Sequence, residues 1–200
     1  MRKHLLAIAV TLITTAIFTA CGESEEEGFI PKPRSYFRIE FPDKDYQAFE
    51  DDCPYTFNYP SYSHVVQSAH SNPEQCFKNI MFPYYKATMF CTYLKLDSTS
   101  DFQMQSEYSR GLAYEHRVKA SGIQEREYLN YDKGVYGTTY EIQGEAACNY
   151  LFYLSDSTEH FFSASLYFEV IPNYDSLKPV IDYIKQDIQV MIESFEWKNS

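Results

Sequence analysis

The sequence predicts an α+β domain: a mostly antiparallel sheet with two helices packed on it, the second a C-terminal amphipathic helix. Apolar and polar residues alternate along many short segments, turns of hairpin length separate these segments, and residues 177–195 carry one apolar stripe. Alternation is typical of half-buried strands, and a stripe at a 3.6-residue period is typical of a helix. Because strands, a helix, strands and a helix follow in that order, we expect both helices to cover one face of the sheet.

The N-terminus indicates an exported lipoprotein. Arg2 and Lys3 precede an apolar run over residues 5–20, and Cys21 follows directly. This order is typical of a secretion signal, and the run is shorter than the roughly 20 residues needed to span a bilayer. It resembles the lipobox of bacterial lipoproteins, which implies that residues 1–20 are removed and that acyl chains on Cys21 attach the protein to a membrane.

Residues 21–35 are predicted to be a lipidated tether, and residues 36–200 a single domain. The tether is acidic over residues 23–27 and stiff at Pro31 and Pro33. The whole chain has a net charge of −11, and loss of Arg2 and Lys3 with the signal makes it −13. Nucleic-acid binding needs clustered Lys and Arg, so we expect no nucleic-acid partner.

The predicted domain begins with a strand over residues 36–41, where Phe37, Ile39 and Phe41 alternate with polar neighbours. Prolines separate several later segments, since proline cannot donate a hydrogen bond within a central ladder. The further predicted strands are residues 55–59, 64–68, 76–82, 86–96, 124–129, 135–142, 146–154 and 160–170.

Two helices are predicted from their capping residues and periodicity. Ser100 and Gln103 have the form of a capping box at the start of a helix over residues 101–120. Asp175 is a suitable N-cap for the C-terminal helix. The stripe of this second helix is formed by Leu177, Val180, Ile181, Ile184, Ile188, Met191, Ile192 and Phe195.

Four cysteines remain after lipidation, namely Cys53, Cys76, Cys91 and Cys148. An oxidising compartment permits disulfides, and four cysteines allow three pairings. We favour Cys53 with Cys76, because both lie in turn-rich stretches. The chain has no C-x-x-C pattern, which argues against a thioredoxin-type site and a zinc knuckle.

No known catalytic motif is present, and the histidines are widely scattered, so we expect no enzyme, no cofactor and no metal site. The strongest polar constellation is Arg110, Tyr114, His116 and Lys119 on the first predicted helix. These residues could form a docking patch or an anion site. A solvated helix face with ordinary i, i+4 pairing is the alternative that we favour.

Ser98, Ser157 and Ser176 each follow an aspartate. Asp and Ser hydrogen-bond to nearby backbone, so turns and helix caps explain these pairs. The segments also resemble the O-glycosylation sequon of exported Bacteroidetes proteins, so glycosylation at any exposed one stays open.

Taken together, the mature chain resembles the GldD family, lipoproteins of gliding motility and type IX secretion in the Bacteroidetes. Two departures are Phe77, where Trp is expected, and Cys148, where small polar residues are usual. The resemblance rests on the order and spacing of residues 36–39, 54–60, 112–116, 119–120, 135–137, 156–158, 160–161, 166–168, 172–176 and 195–198.

The resemblance implies a role and no reaction. It implies a component or assembly factor of the gliding and type IX secretion apparatus that acts by contact with other machinery proteins. It also implies lipid anchoring in the cell envelope at the outer membrane, on the periplasmic face or at the cell surface. The alternative is a ligand-binding or enzymatic domain that acts on exported peptide or glycan.

Overall fold

A computed structural model describes residues 39–69, 71–72, 75–170 and 173–198. The predicted signal, Cys21 and the predicted tether lie outside these residues. The strands are β1 (Tyr46–Ala48), β2 (Tyr55–Thr56), β3 (Asn58–Pro60), β4 (His64–Gln67), β5 (Lys78–Phe82), β6 (Ala87–Lys95), β7 (Ala120–Asn130), β8 (Val135–Gly144), β9 (Cys148–Ser155), β10 (His160–Phe168) and β11 (Glu196–Trp197). The α-helices are α1 (Thr99–Glu115) and α2 (Tyr174–Ser194).

Seven antiparallel strands form the main sheet, in the order β4-β5-β6-β10-β9-β8-β7. Strand β10 lies between β6 and β9, so the chain returns from β9 to complete the middle of the sheet. Two small ladders, β1 with β3 and β2 with β11, lie outside this sheet. The α+β class with a mostly antiparallel sheet is confirmed.

The two helices cover opposite faces of the sheet, so the prediction that both cover one face is wrong. All eight residues of β9 are buried, which requires packing on both sides of the strand. Tyr150, Phe152 and Leu154 belong to the core beneath α2, whereas Leu151 and Tyr153 belong to the core beneath α1. We call these sides the α2 face and the α1 face.

The larger core lies on the α2 face. Val180, Ile184, Ile188 and Met191 of the helix pack against the sheet, as the apolar stripe predicts. Residues of the β1–β3 region extend this core with a stack of aromatic rings that includes Phe49, Tyr55, Phe57, Phe162 and Phe195.

The α1 face has a smaller core. Of the helix itself only Ser109 and Ala113 are buried, and Phe102 and Leu112 pack partly against the sheet. The helix therefore lies over β9 and the start of β10, where Phe102 meets Phe161, and its Ala113 shares a core with Tyr140 and Ile142 of β8.

Several predicted boundaries differ from the structure. Residues 39–41 do not form a strand, and residues 36–38 of that prediction lie outside the described chain. Ser98 caps α1 in place of Ser100, and Asn173 caps α2 in place of Asp175, each accepting a bond from a backbone N–H three residues on. Helix α1 ends at Glu115, five residues before the predicted end, and a 3₁₀ turn leads into β7.

Cys53 and Cys76 form a disulfide with Cα atoms 5.5 Å apart, which is the pair that the sequence favours. Cys91 and Cys148 are free and buried. Burial raises the pKa of the Cys148 thiol to about 12 and raises that of Cys91 still further, so both thiols stay protonated and unreactive at neutral pH.

Candidate functional site

The predicted docking patch divides into two parts. Arg110 and Tyr114 lie on exposed turns of α1 and both contact Glu125 of β7. The Arg110 guanidinium is 3.7 Å from a carboxylate oxygen of Glu125, and the Tyr114 hydroxyl donates to the same oxygen at 3.2 Å. The guanidinium also lies 5.3 Å from the centre of the Tyr114 ring. Glu125, which the sequence analysis missed, therefore holds the end of α1 on the sheet.

His116 and Lys119 lie beyond the end of the helix, in the 3₁₀ turn and at its end. The Lys119 N–H donates to the His116 carbonyl at 2.9 Å, which closes the turn. Burial lowers the pKa of His116, and Glu115 only partly offsets this, so the ring is neutral at pH 7. The structure thus places Arg110 and Tyr114 on the helix and His116 and Lys119 after it, so the four residues do not share one helix face. Docking through them stays a prediction.

Large apolar side chains surround this patch. Met104 and Tyr108 are exposed one turn apart on α1, and Val118 of the 3₁₀ turn is 83% exposed. A surface with aromatic, Met and Arg side chains is typical of protein–protein interfaces. The composition of the α1 surface therefore favours contact with another protein.

A polar cleft of about 220 Å³ lies on the other face, between α2 and strands β7 and β8. Arg126, Thr139 and Glu141 line it from the sheet, and Lys185 and Gln189 line it from the helix. Lys185 forms an ion pair with Glu141, and the Arg126 guanidinium donates to Gln124 at 3.0 Å. Because the lining offers both charges and amides, the cleft could bind a polar ligand such as a peptide or a sugar.

A buried carboxylate lies in the middle of α2. Asp187 is 2% exposed and accepts hydrogen bonds from Lys44 at 2.7 Å, from Tyr46 at 2.9 Å and from Tyr62. The Lys44 ammonium also lies 3.3 Å from the centre of the Tyr183 ring and donates to its carbonyl at 2.9 Å. We call Lys44, Tyr46, Tyr62, Tyr183 and Asp187 the Asp187 cluster.

Burial dominates the electrostatics of the Asp187 cluster. It lowers the pKa of Lys44, although the hydrogen bond to Asp187 opposes the shift, and it raises the pKa of Tyr46 and Tyr62. Both hydroxyls therefore stay protonated and act as donors to the carboxylate. Sequence reasoning missed the cluster, and its one signal was an acidic residue within the apolar stripe of α2.

The three Asp-Ser segments have local structural roles. The Ser98 side chain caps α1, and the Asp156 carboxylate accepts from the backbone N–H groups of Thr158, Glu159 and His160, each at 2.9 Å. The Ser176 N–H donates to the side chain of Asn173 at 3.3 Å. Turns and caps thus account for these residues, and glycosylation at Ser98, Ser157 or Ser176 stays a prediction.

The described residues contain neither a membrane-spanning helix nor a cluster of metal ligands. In that part of the chain, no helix is long and apolar enough to cross a bilayer. Nor do three His, Cys, Asp or Glu side chains come together there in a way that could hold a metal ion.

The chain was compared with known families, curated proteins and solved structures. Among curated proteins, none matches this sequence. Among solved structures, the solution structure of cyanobacterial PsbP (CyanoP) from Synechocystis sp. PCC 6803 is similar, with 9% identity and a TM-score of 0.47. That similarity covers 78% of this chain and 94% of that one.

The family match covers most of the chain. The model described as "Gliding motility lipoprotein GldD" matches residues 26–197, which includes every strand and helix of the described structure. The family's description indicates a membrane-anchored protein of the cell envelope. Because the match covers most of the sequence, the chain belongs to the GldD family of gliding motility lipoproteins.

Proposed function

We propose that this protein is an outer-membrane-associated lipoprotein that acts, as a component or an assembly factor, in gliding motility and type IX secretion. It acts by binding other proteins of the apparatus. The observation that carries the proposal is the family match over residues 26–197. The proposal goes beyond this match in three respects, namely an origin in the Bacteroidetes, a location at the outer membrane and a role in secretion. These three rest on the resemblance described in the sequence analysis.

The surface supports a binding role. Tyr108, Tyr114 and Arg110 are exposed together on α1, and these residue types are enriched where proteins meet. A net charge of −11 over the whole chain argues against nucleic acid as the partner.

The anchor is tested by replacing Cys21. We expect Cys21→Ala to release the protein from the membrane fraction and to abolish gliding, because the acyl chains can no longer be attached. Ser24→Ala, a neutral change three residues further along the predicted tether, is the matched control and should glide normally. Normal gliding by a mislocalised Cys21→Ala protein would contradict an anchored role.

The partners are tested in the native membranes. Chemical crosslinking followed by purification of the tagged protein should recover gliding or secretion proteins in constant proportion. Export of a type IX substrate, measured in the same strains, separates a secretion role from a purely motile one. Recovery of the anchored protein alone would favour the alternative function.

The alternative is a domain that binds or processes exported peptide or glycan, and the polar cleft favours it. The cleft contains Arg126 beside Gln124, and a guanidinium that lines a cleft suits a carboxylate or a sugar hydroxyl. Arg126→Ala should then abolish function without unfolding the chain. Normal function in Arg126→Ala and in the double variant Arg110→Ala, His116→Ala would remove both ligand sites.

A further inference from the structure

Strand β7 forms one edge of the main sheet and has eleven residues, whereas β4 at the opposite edge has four. Strand β8 pairs with one side of β7, and within the described residues no strand pairs with the other side. An edge strand directs roughly half of its backbone N–H and C=O groups outward, where a further strand can bind them. Proteins usually interrupt such edges with prolines or bulges, but β7 has no proline and its register shift lies at its start, between Ala120 and Gly122.

Three charged residues in the middle of β7 determine which strand can pair with it. Glu125 and Glu127 lie on the α1 face and Arg126 on the α2 face, and all three are exposed. The ion pairs of the described residues do not include Arg126, whose guanidinium donates to Gln124 at 3.0 Å. Directly opposed residues of paired strands lie on the same face and interact. The matching strand therefore has basic residues opposite the two glutamates and an acidic residue opposite Arg126.

The same charges disfavour a second copy of this chain at the edge. When two copies of β7 pair antiparallel over all eleven residues about a two-fold axis, Glu125 lies opposite its own copy. When the axis passes by Arg126, Arg126 lies opposite its own copy and Glu125 lies opposite Glu127. Like charges directly opposite one another are destabilising, so the edge fits a strand of different sequence better than itself.

The chain between the lipidated cysteine and the domain also suits this edge poorly. Residues 23–27 contain four glutamates, which would put further acids opposite Glu125 and Glu127. Pro31 and Pro33 follow, and proline has no N–H to donate to a ladder.

Residues 34–38 are too short to reach the edge and pair with it. The chain that follows them passes Tyr85, just before β6, where the Phe41 and Tyr85 ring centres are 6.0 Å apart. Strand β7 lies four strand spacings from β6, which is roughly 19 Å at about 4.8 Å each. Five extended residues span about 17 Å, so none would remain for pairing. The occupant of the edge therefore comes from another protein.

The polar cleft lies beside this edge on the α2 face. Gln124 and Arg126 line it from β7, and Lys185 and Gln189 line it from α2. A strand added to β7 would direct every second side chain to the α2 face, next to the cleft. Sheet edges recognise extended peptides in this way, with affinity from the main chain and specificity from alternate side chains. An acidic side chain opposite Arg126 would gain a charge-assisted hydrogen bond.

We propose that the outer edge of β7 binds an extended segment of another protein of the apparatus, which adds an eighth strand to the main sheet. The segment has an acidic residue opposite Arg126 and basic residues opposite Glu125 and Glu127. A fixed charge pattern suits one constant component, whereas exported chains vary in sequence. The proposal deepens the proposed function and rests on it.

The test uses site-specific photocrosslinking in living cells. Benzoylphenylalanine is placed at Gln124 and, in a second strain, at Leu129, in the full-length lipoprotein. Both positions are exposed on β7 and neither forms an ion pair. The matched control position is Val66, which is 39% exposed on β4 at the opposite edge. Crosslinked peptides are identified by mass spectrometry.

The expected result is one segment of a single gliding or secretion protein, captured from Gln124 and from Leu129 but not from Val66. The two crosslinked residues of the partner should be about five apart, because an extended segment matches the roughly 17 Å between these positions of β7. A helix laid along the edge would cover that distance with about eleven residues. The spacing therefore distinguishes an added strand from a docked helix.

Charge reversal tests the pairing itself. Arg126→Glu should reduce the crosslink from position 129 at least tenfold and abolish gliding, whereas Lys95→Glu, the same reversal at an exposed residue of β6, should do neither. Replacing the partner's acidic residue with Arg should restore both crosslink and gliding in Arg126→Glu. Unchanged circular dichroism shows that purified Arg126→Glu is folded, and Glu127→Lys is the second variant if it is not.

Other outcomes overturn the proposal. Crosslinked residues about eleven apart would make the partner a helix, and capture of a second copy, of residues 22–38 or of an exported substrate would assign the edge to a different occupant. Normal gliding in Arg126→Glu and Glu127→Lys, with gliding lost in Cys21→Ala, would reject the strand site and leave the proposed function intact. Normal gliding of a strain that lacks the protein would reject the proposed function itself.

Discussion

The two faces of the sheet are built differently. On the α2 face, the helix buries seven residues and joins a core that also includes the β1–β3 region. On the α1 face, the helix buries two residues and joins a smaller core. The same strands β9 and β10 take part in both cores, so the contrast comes from the helices and not from the sheet.

This contrast suggests a division of roles between the faces. Burial of apolar area is the main source of folding free energy, and most of it lies on the α2 face. The α1 face can therefore vary its exposed side chains at little cost to stability. Substitutions beneath α2 should then change stability, whereas substitutions on the exposed surface of α1 should change binding.

The largest effect is expected in the centre of the α2 core. Ile188 is fully buried, so Ile188→Ala should lower the free energy of unfolding by about 3–4 kcal/mol, from lost transfer energy and the cavity left behind. Urea denaturation measures it. Met104→Ala on exposed α1 is the control and should change stability by less than about 0.5 kcal/mol. Equal losses in the two variants would contradict the contrast.

The next effect is expected at the Asp187 cluster. Asp187→Asn removes the charge that Lys44 and two tyrosine hydroxyls bind, and should cost about 2–3 kcal/mol, since the Lys44 side chain is 23% exposed and keeps some hydration. A double-mutant cycle with Lys44→Met checks this by urea denaturation. If the two changes are simply additive, Lys44 and Asp187 are not coupled.

A smaller effect of opposite sign is expected on α1. A Cβ added at Gly111 meets nothing within 4 Å, so Gly111→Ala should stabilise the helix by about 0.5–1 kcal/mol. Thermal unfolding of the purified domain measures it. A loss of stability would mean that the α1 surface is covered at this point and would weaken the contrast between the faces.

The smallest effect is expected at acid pH. A hydrogen bond from Lys78 lowers the pKa of the Asp51 carboxyl below 3.8, although burial opposes the shift. A carboxyl with a lowered pKa contributes stability that is complete above its unfolded value and is lost as pH falls through its folded value. Urea midpoints measured from pH 5 to about pH 2 should fall less steeply in Asp51→Asn than in the parent.

The sequence predicted the individual strands and helices better than it predicted which side of the sheet each helix covers. The stripe of α2 and the alternation in β10 follow from periodicity, which burial imposes on each segment alone. The two-sided burial of β9 does not follow in this way. Its run Tyr150-Leu151-Phe152-Tyr153-Leu154 is apolar at every position, which is the pattern of a strand covered on both faces. That run was the available signal that the helices lie on opposite sides.

The candidate sites were harder to predict, because they join residues distant in sequence. Lys44 and Asp187 are 143 residues apart, and no local pattern relates them. The patch on α1 was predicted as a set of residues, but its contact with Glu125 depends on where β7 lies relative to the helix.

The Asp187 cluster also has a mechanical consequence. The chain that precedes Ile39 enters the domain through a segment in which Phe41 stacks on Tyr183, the Pro42 carbonyl accepts from the Tyr183 hydroxyl, and Lys44 is bound to Asp187. A force that pulls on the N-terminal chain therefore acts first on these ionic and aromatic contacts with α2. The force reaches the hydrogen bonds of the main sheet only after those contacts have broken.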